Sequence, residues 1–234
     1  MYPVLKSILL LLSACAFQVG LTPPNAPPTQ RQKVGYRGQL FEHLVYPLPW
    51  YLRNFASTMS LLHALTLLLP LLPPSSFTSI LPTLCAGPTE ALSELSSRFL
   101  AGTALVLGGG ALRAWCYRTL GAAFTYEVAV RPDHAFITHG PYAVARHPSY
   151  PALWAIFAGG ALAWRAPDAY LCACTQGRDW VRWMVWAWDG AAVVIAVGLY
   201  RRASVEDAAM RAKFGGEWEA YRRRVPWKFV PYVF

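Results

Sequence analysis

The sequence predicts an all-α integral membrane protein with about five transmembrane helices. Three observations carry that class. The chain of 234 residues is 55% hydrophobic but only 14% charged, whereas a soluble domain carries about 25% charged residues. Its apolar stretches run close to the length of about 20 residues that a helix needs to cross a hydrocarbon core of about 30 Å. The basic residues, which give a formal net charge of +9, gather in the connectors and the C-terminal tail. In a membrane protein that balance speaks of topology and anionic lipid before nucleic acid.

The first apolar run covers residues 4–21, broken only by Lys6, Ser7, Ser13 and Gln18. Ala14, Cys15 and Ala16 resemble a signal-peptide cleavage site, but Lys6 alone is a thin basic flank, so a retained helix is the favoured reading. Residues 22–50 are rich in proline and basic side chains and read as an extended, unpacked linker. The second span runs over residues 50–72, with Trp50 and Tyr51 at its mouth and Pro70, Pro73 and Pro74 at its end. His63 inside it reads as a packed polar residue. Residues 73–94 contain no Lys or Arg, which points to the non-cytoplasmic side. A third span, residues 95–115, carries Gly102, Gly108, Gly109 and Gly110, which let a second helix approach closely. A phosphate loop there is unsupported, because no lysine or Ser/Thr follows at the required spacing.

Residues 116–150 form a long connector bearing Arg118, Arg131 and Arg146, cytoplasmic on the positive-inside rule. A fourth apolar stretch begins at residue 151 and passes Trp164; a fifth covers residues 183–199. The mixed charges of residues 165–182 between them decide little about sidedness. Five cysteines, at 15, 85, 116, 172 and 174, show no zinc-type pairing and read as free buried thiols. The C-terminal end, with Arg222, Arg223 and Arg224 followed by Trp227, Phe229 and Tyr232, reads as lying partly against anionic headgroups.

Within the connector, Pro141 and Pro148 each remove a backbone donor and fix φ, so the stretch around them is a bent segment and not a helix interior. The apolar run that follows sets Arg146, His147, Ser149 and Tyr150 at the edge of the bilayer, as headgroup anchors or as binding groups. The fifth span leads without a breaker into Arg202 and Glu206, which share one face of a continuing helix. An exposed helical ion pair is common and weak; emergence on the same side as the connector is what gives this pair a functional reading.

Two motifs in order, Asp133 to Tyr142 running on to Arg146, His147, Pro148, Ser149 and Tyr150, then Arg202 and Glu206 running on to Phe214, Gly215, Glu217, Trp218 and Tyr221, resemble the isoprenylcysteine carboxyl methyltransferase family. The resemblance covers roughly the last 115 residues. It divides the chain into residues 1–115, which hold N-terminal helices and the Pro-rich linker, and residues 116–234, the catalytic region. It implies a cytosol-facing site for S-adenosylmethionine formed by the C-terminal half, in the endoplasmic reticulum membrane. Carried across by position, His134, Ala135, Phe136, Ile137, Tyr142, His147, Pro148, Ser149, Tyr150 and Glu206 would contact the cofactor, and Arg202 would hold the substrate carboxylate, with Arg202 and Glu206 as the catalytic pair. The implied acceptor is the carboxylate of a farnesyl- or geranylgeranyl-cysteine at a protein C-terminus. Two features depart from the family pattern: Pro151 and Ala152 stand where a glycine is usual nearby, and residues 165–182 make a long excursion.

The residue chemistry agrees with that implication. Methyl transfer from a sulfonium is an in-line displacement, and a carboxylate is already ionised at neutral pH, so aim and desolvation matter more than a general base. A guanidinium grips a carboxylate bidentately, and Tyr142, Tyr150 or Trp218 could face a sulfonium. His134, His139 and His147 fit no common zinc spacing, and the transfer needs no metal. Phospholipid N-methyltransferases are the nearest rival, but Arg202 would repel a protonated amine. A sterol-reductase-like enzyme needs a longer chain, and a non-enzymatic membrane adaptor predicts that replacing Arg202 and Glu206 changes little.

Overall fold

The computed structural model describes residues 2–29, 43–73, 84–85, 90–129, 135–175 and 179–233. Among them the regular structure is helical, with six helices of nine residues or more, α1 (Pro3–Leu21), α2 (Pro47–Leu68), α3 (Ser97–Leu120), α4 (Ser149–Trp164), α5 (Asp179–Phe214) and α6 (Gly216–Arg224), and shorter turns such as Tyr170–Ala173. Four helical segments are long and apolar enough to cross a membrane, at Pro3–Leu21, Pro47–Leu71, Ser97–Ala123 and Asp179–Phe214. The expected fourth crossing, α4, has 16 residues and falls short of spanning length.

Lipid offers helices no hydrophobic reason to associate, so small residues and polar ties must hold them. Glycine supplies the close approach between α3 and α4. A Cβ on Gly102 would lie 2.6 Å from the Gly159 carbonyl oxygen, and one on Gly109 would lie 2.6 Å from that of Ala152. Gly110 faces Ala16 of α1, whereas Gly108 looks into open space, so three of the four expected glycines serve packing. Beneath them Phe17, Val106, Ile156 and Trp188 are almost fully buried, and the Trp188 indole donates to the Phe157 carbonyl at 3.1 Å.

One cluster of polar ties lies at the end where α1 begins. Lys6 is fully buried and donates to the Asp168 carboxylate at 2.6 Å and to the carbonyls of Glu94 and Asp168 at 2.8 Å each. All three ammonium protons are thereby used. Cys85 and Cys174 form a disulfide at the same end, which corrects the reading of all five cysteines as free thiols; Cys15, Cys116 and Cys172 are free. Both residues sit in connectors with too little sequence pattern to reveal a pairing. The bridge also places residues 85 and 174 side by side, so the two connectors share one end of the bundle.

The linker is partly packed, contrary to the expectation of an unpacked chain. Asn25 donates to the carbonyls of Gly121 and Phe124 at 2.8 and 2.9 Å, which ties the linker to the turn that follows α3. Val45 is buried against Phe124 and Tyr126.

Candidate functional site

The other end of the bundle holds a cavity of ≈ 200 Å³. It is assembled from segments far apart in sequence, and each has a local reason for its course. Gly140 adopts φ 60°, a conformation that costs glycine little, and opens the short helical turn Gly140–Ala143 that buries Tyr142. Pro148 then fits at the start of α4, where its missing donor is not needed. Pro151, one of the two departures from the family pattern, falls in the first turn of α4 and is accommodated for the same reason. Gly215, at φ 52°, turns the chain from α5 into α6, which brings Trp218 and Tyr221 back over the cavity.

Ala135, Phe136, Ile137, Tyr142, His147, Ser149, Tyr150, Arg202 and Glu206 all line this space. Pro148 is buried beside it without lining it, and His134 lies outside the described residues. The two motifs, more than fifty residues apart, thus meet in one place. Phe136 stacks on Phe214 with ring centres 4.7 Å apart, and the Tyr221 hydroxyl donates to the Tyr142 carbonyl at 2.7 Å.

A chain of charges runs along the polar wall. Arg202 donates through Nε to Glu206 Oε1 at 2.7 Å, and its other nitrogens donate to the carbonyls of Tyr126 and Thr125. Glu206 Oε2 lies 3.2 Å from His147 Nδ1, and His147 Nε2 lies 3.0 Å from Asp207 Oδ1. Asp207 Oδ2 in turn pairs with Arg146 Nη1 at 2.6 Å. Burial alone would lower the pKa of His147, but hydrogen bonds to Asp207 and Glu206 and their charges outweigh it and raise the value. The C-terminal tail completes the support: the Arg146 and His147 amides donate to the carbonyls of Trp227 and Lys228 at 3.0 and 2.9 Å, and Phe229 is buried against Tyr150 and Trp154. The tail therefore packs on the connector, where the sequence suggested headgroup contact; Tyr232 and Val233 remain exposed.

Sequence reasoning missed Arg113 and Asp207. Arg113 is buried in the wall of the cavity. It donates to the Gly20 carbonyl and to Ser149, and it lies over the rings of Tyr117, Phe124 and Tyr126. No carboxylate among the described residues pairs with it. An ionisable residue inside an apolar span is itself a functional signal, and that signal stood in the sequence of the third span. Asp207 gave none, being one acid beside another on an exposed-looking helix. Apart from Thr125 and Glu127, most of the remaining wall is apolar, with Leu21, Leu48, Leu153, Phe157, Ile195 and Leu199.

Residues 102–177 match the isoprenylcysteine carboxyl methyltransferase (ICMT) family. The resemblance read from the motifs is supported by this match, which takes in the glycines of α3, Arg113, the connector and α4. The ICMT match ends before Arg202 and Glu206, so those two enter the site on geometry and on the second motif. The match is a similarity over those residues, in a chain with four helical segments long and apolar enough to cross a membrane. No curated protein matches the chain.

Proposed function

We propose that this protein transfers the methyl group of S-adenosylmethionine to the carboxylate of a C-terminal prenylcysteine. The observation that carries the reading is the meeting of an ionic wall and an apolar wall in one cavity. A prenylcysteine has the same two halves, a carboxylate and an isoprenoid chain. The residues also fit the donor: Glu206 presents a carboxylate to an ammonium, and Tyr142, Tyr150 and Trp218 present aromatic rings to a cation.

When bound, the donor supplies a methyl carbon to an acceptor oxygen while the carbon–sulfur bond breaks and its electron pair stays on sulfur. Opposite charges cancel in that step, so a dry, apolar setting costs the transition state less than it costs the separated ions. Leu48, Leu153, Phe157 and Leu199 provide that setting. Arg113 contributes a positive charge that the described carboxylates leave unbalanced, and Arg202 one whose orientation Glu206 and the Thr125–Tyr126 carbonyls fix. Together they would draw the acceptor carboxylate to one place and aim it. An acceptor held only there gains no rate unless the grip relaxes as its charge is lost, which suits cations already shared with neutral carbonyls. The disulfide at the opposite end fits an oxidising lumen, and hence a cavity that faces the cytosol from the endoplasmic reticulum membrane.

The test is methyl transfer in purified membranes from labelled S-adenosylmethionine to a farnesylated cysteine, with Arg113→Gln, Arg202→Ala and Glu206→Ala beside the parent. We expect the arginine variants to lose acceptor kcat/KM by about 10²-fold or more, from charged hydrogen bonds worth about 1.5–3 kcal/mol each, and Glu206→Ala to weaken donor binding. Donor binding without transfer to the prenylcysteine, but with transfer to a phospholipid amine, would overturn the acceptor assignment.

A further inference from the structure

The ionic wall contains Asp207, which neither the motifs nor the family match assigns, beside His147. His147 is buried, and both of its ring nitrogens face carboxylates: Nδ1 meets Glu206 at 3.2 Å and Nε2 meets Asp207 at 3.0 Å. A neutral imidazole has one N–H and one lone pair, so in this position its lone pair would point at a carboxylate oxygen. Only the imidazolium donates to both. We propose that Asp207 is a positioning residue, which holds His147 as an imidazolium and through it fixes Glu206 for the donor's ammonium.

The surroundings agree. From α5 come Glu206 and Asp207; from the connector comes Arg146, which faces Asp207 Oδ2 and not the ring. From α4 comes Tyr150, stacked at 5.4 Å, and from the tail Phe229 and the Lys228 carbonyl. The Lys228 ammonium is turned away to Ser204 at 2.9 Å. Arg202 reaches this cluster only through the far oxygen of Glu206. With His147 charged, the row Arg146, Asp207, His147, Glu206, Arg202 alternates in sign from end to end. Each carboxylate is then held on both oxygens, and Glu206 cannot swing without breaking two contacts.

The donor-binding part of this inference rests on the proposed function, but the state of His147 is separable from it. The full-length protein, labelled with ¹³C-histidine in detergent, is titrated by NMR, with the His147 signal assigned by its loss in His147→Gln. In parallel, S-adenosylmethionine affinity is measured against pH. We expect His147 in the parent to titrate above the ordinary value of about 6.5, and Asp207→Asn, which keeps the shape and an acceptor, to lower its midpoint by about 1–3 pH units. Donor affinity should fall away at correspondingly lower pH in that variant, roughly tenfold for each pH unit above the His147 midpoint, and Asp207→Glu should restore part of it. Titration of parental His147 at or below 6.5, or a titration and a pH profile both unmoved by Asp207→Asn, would overturn the inference. If His147 behaves as expected while the parent binds no donor at any pH, the positioning of His147 by Asp207 stands and the cofactor reading falls.

Discussion

Lys6→Met tests how the bundle is closed at the end away from the cavity. The substitution keeps most of the side chain's volume and removes an ammonium that makes three hydrogen bonds, to Asp168 Oδ2 and to two carbonyls. Asp168 is 1% exposed and is left with Ser96 as its remaining donor, through the hydroxyl and through the amide at 3.2 Å. Breaking a buried pair by removing one partner costs about 3–5 kcal/mol; with Ser96 retained, the lower part of that range is expected. Removing both charges in Lys6→Met/Asp168→Asn should cost less than Lys6→Met alone or nearly the same, giving a coupling of about 2 kcal/mol. Equilibrium unfolding in mild detergent, followed by tryptophan fluorescence, measures both. A loss below about 1 kcal/mol for Lys6→Met, or a double variant as destabilised as the two single variants added together, would refute the argument. So would an unchanged mature protein from which residues 1–21 had been removed.

Three further outcomes follow from named contacts. Gly109→Ala should destabilise by about 1–3 kcal/mol, because its Cβ would meet the Ala152 carbonyl at 2.6 Å, whereas Gly108→Ala, with nothing within 4 Å, should be neutral or gain up to about 1 kcal/mol of helix propensity; thermal unfolding of the pair in one detergent separates them. Cys174→Ser, or a reducing agent on the parent, should lower the unfolding midpoint by the equivalent of about 2–4 kcal/mol by releasing the Cys85–Cys174 bridge, and Cys172→Ser should leave it in place. Because the His147 pKa is raised in the folded protein, its contribution to stability is fully present below the unfolded value of about 6.5 and is lost as pH rises through the folded value. The unfolding midpoint should therefore fall on the alkaline side in the parent, and that limb should be missing in His147→Gln.

The helices were legible because lipid imposes long apolar runs, and the motif residues because their polar atoms stand out beside such runs. The ends of α3 and α5 ran further than the apolar pattern, to Leu120 and Phe214, since helix formers without a breaker carry a helix past the bilayer. Asn25, Asp207 and the Cys85–Cys174 pair were hidden for a common reason: each acts through a partner distant in sequence, and nothing local marks it. Arg113 and Lys6 were readable in principle, as charges within apolar runs, but an arginine near a helix end or a lysine near the N-terminus is also what topology alone would place there.

The unbroken length of α5 has a mechanical consequence. Its 36 residues measure about 54 Å, well beyond the hydrocarbon thickness of about 30 Å, and Arg202, Glu206 and Asp207 ride on the projecting part. A helix adjusts to a thicker or thinner bilayer by tilting or sliding, and here no hinge intervenes between the lipid-facing stretch and the charged row. The connector that carries His147 is tied to the tail by backbone hydrogen bonds and, through Arg146 and His147, to Glu206 and Asp207 of α5. A bilayer that shifts α5 would strain those ion pairs, so activity in vesicles of graded acyl length should peak where the helix stands level with its partner.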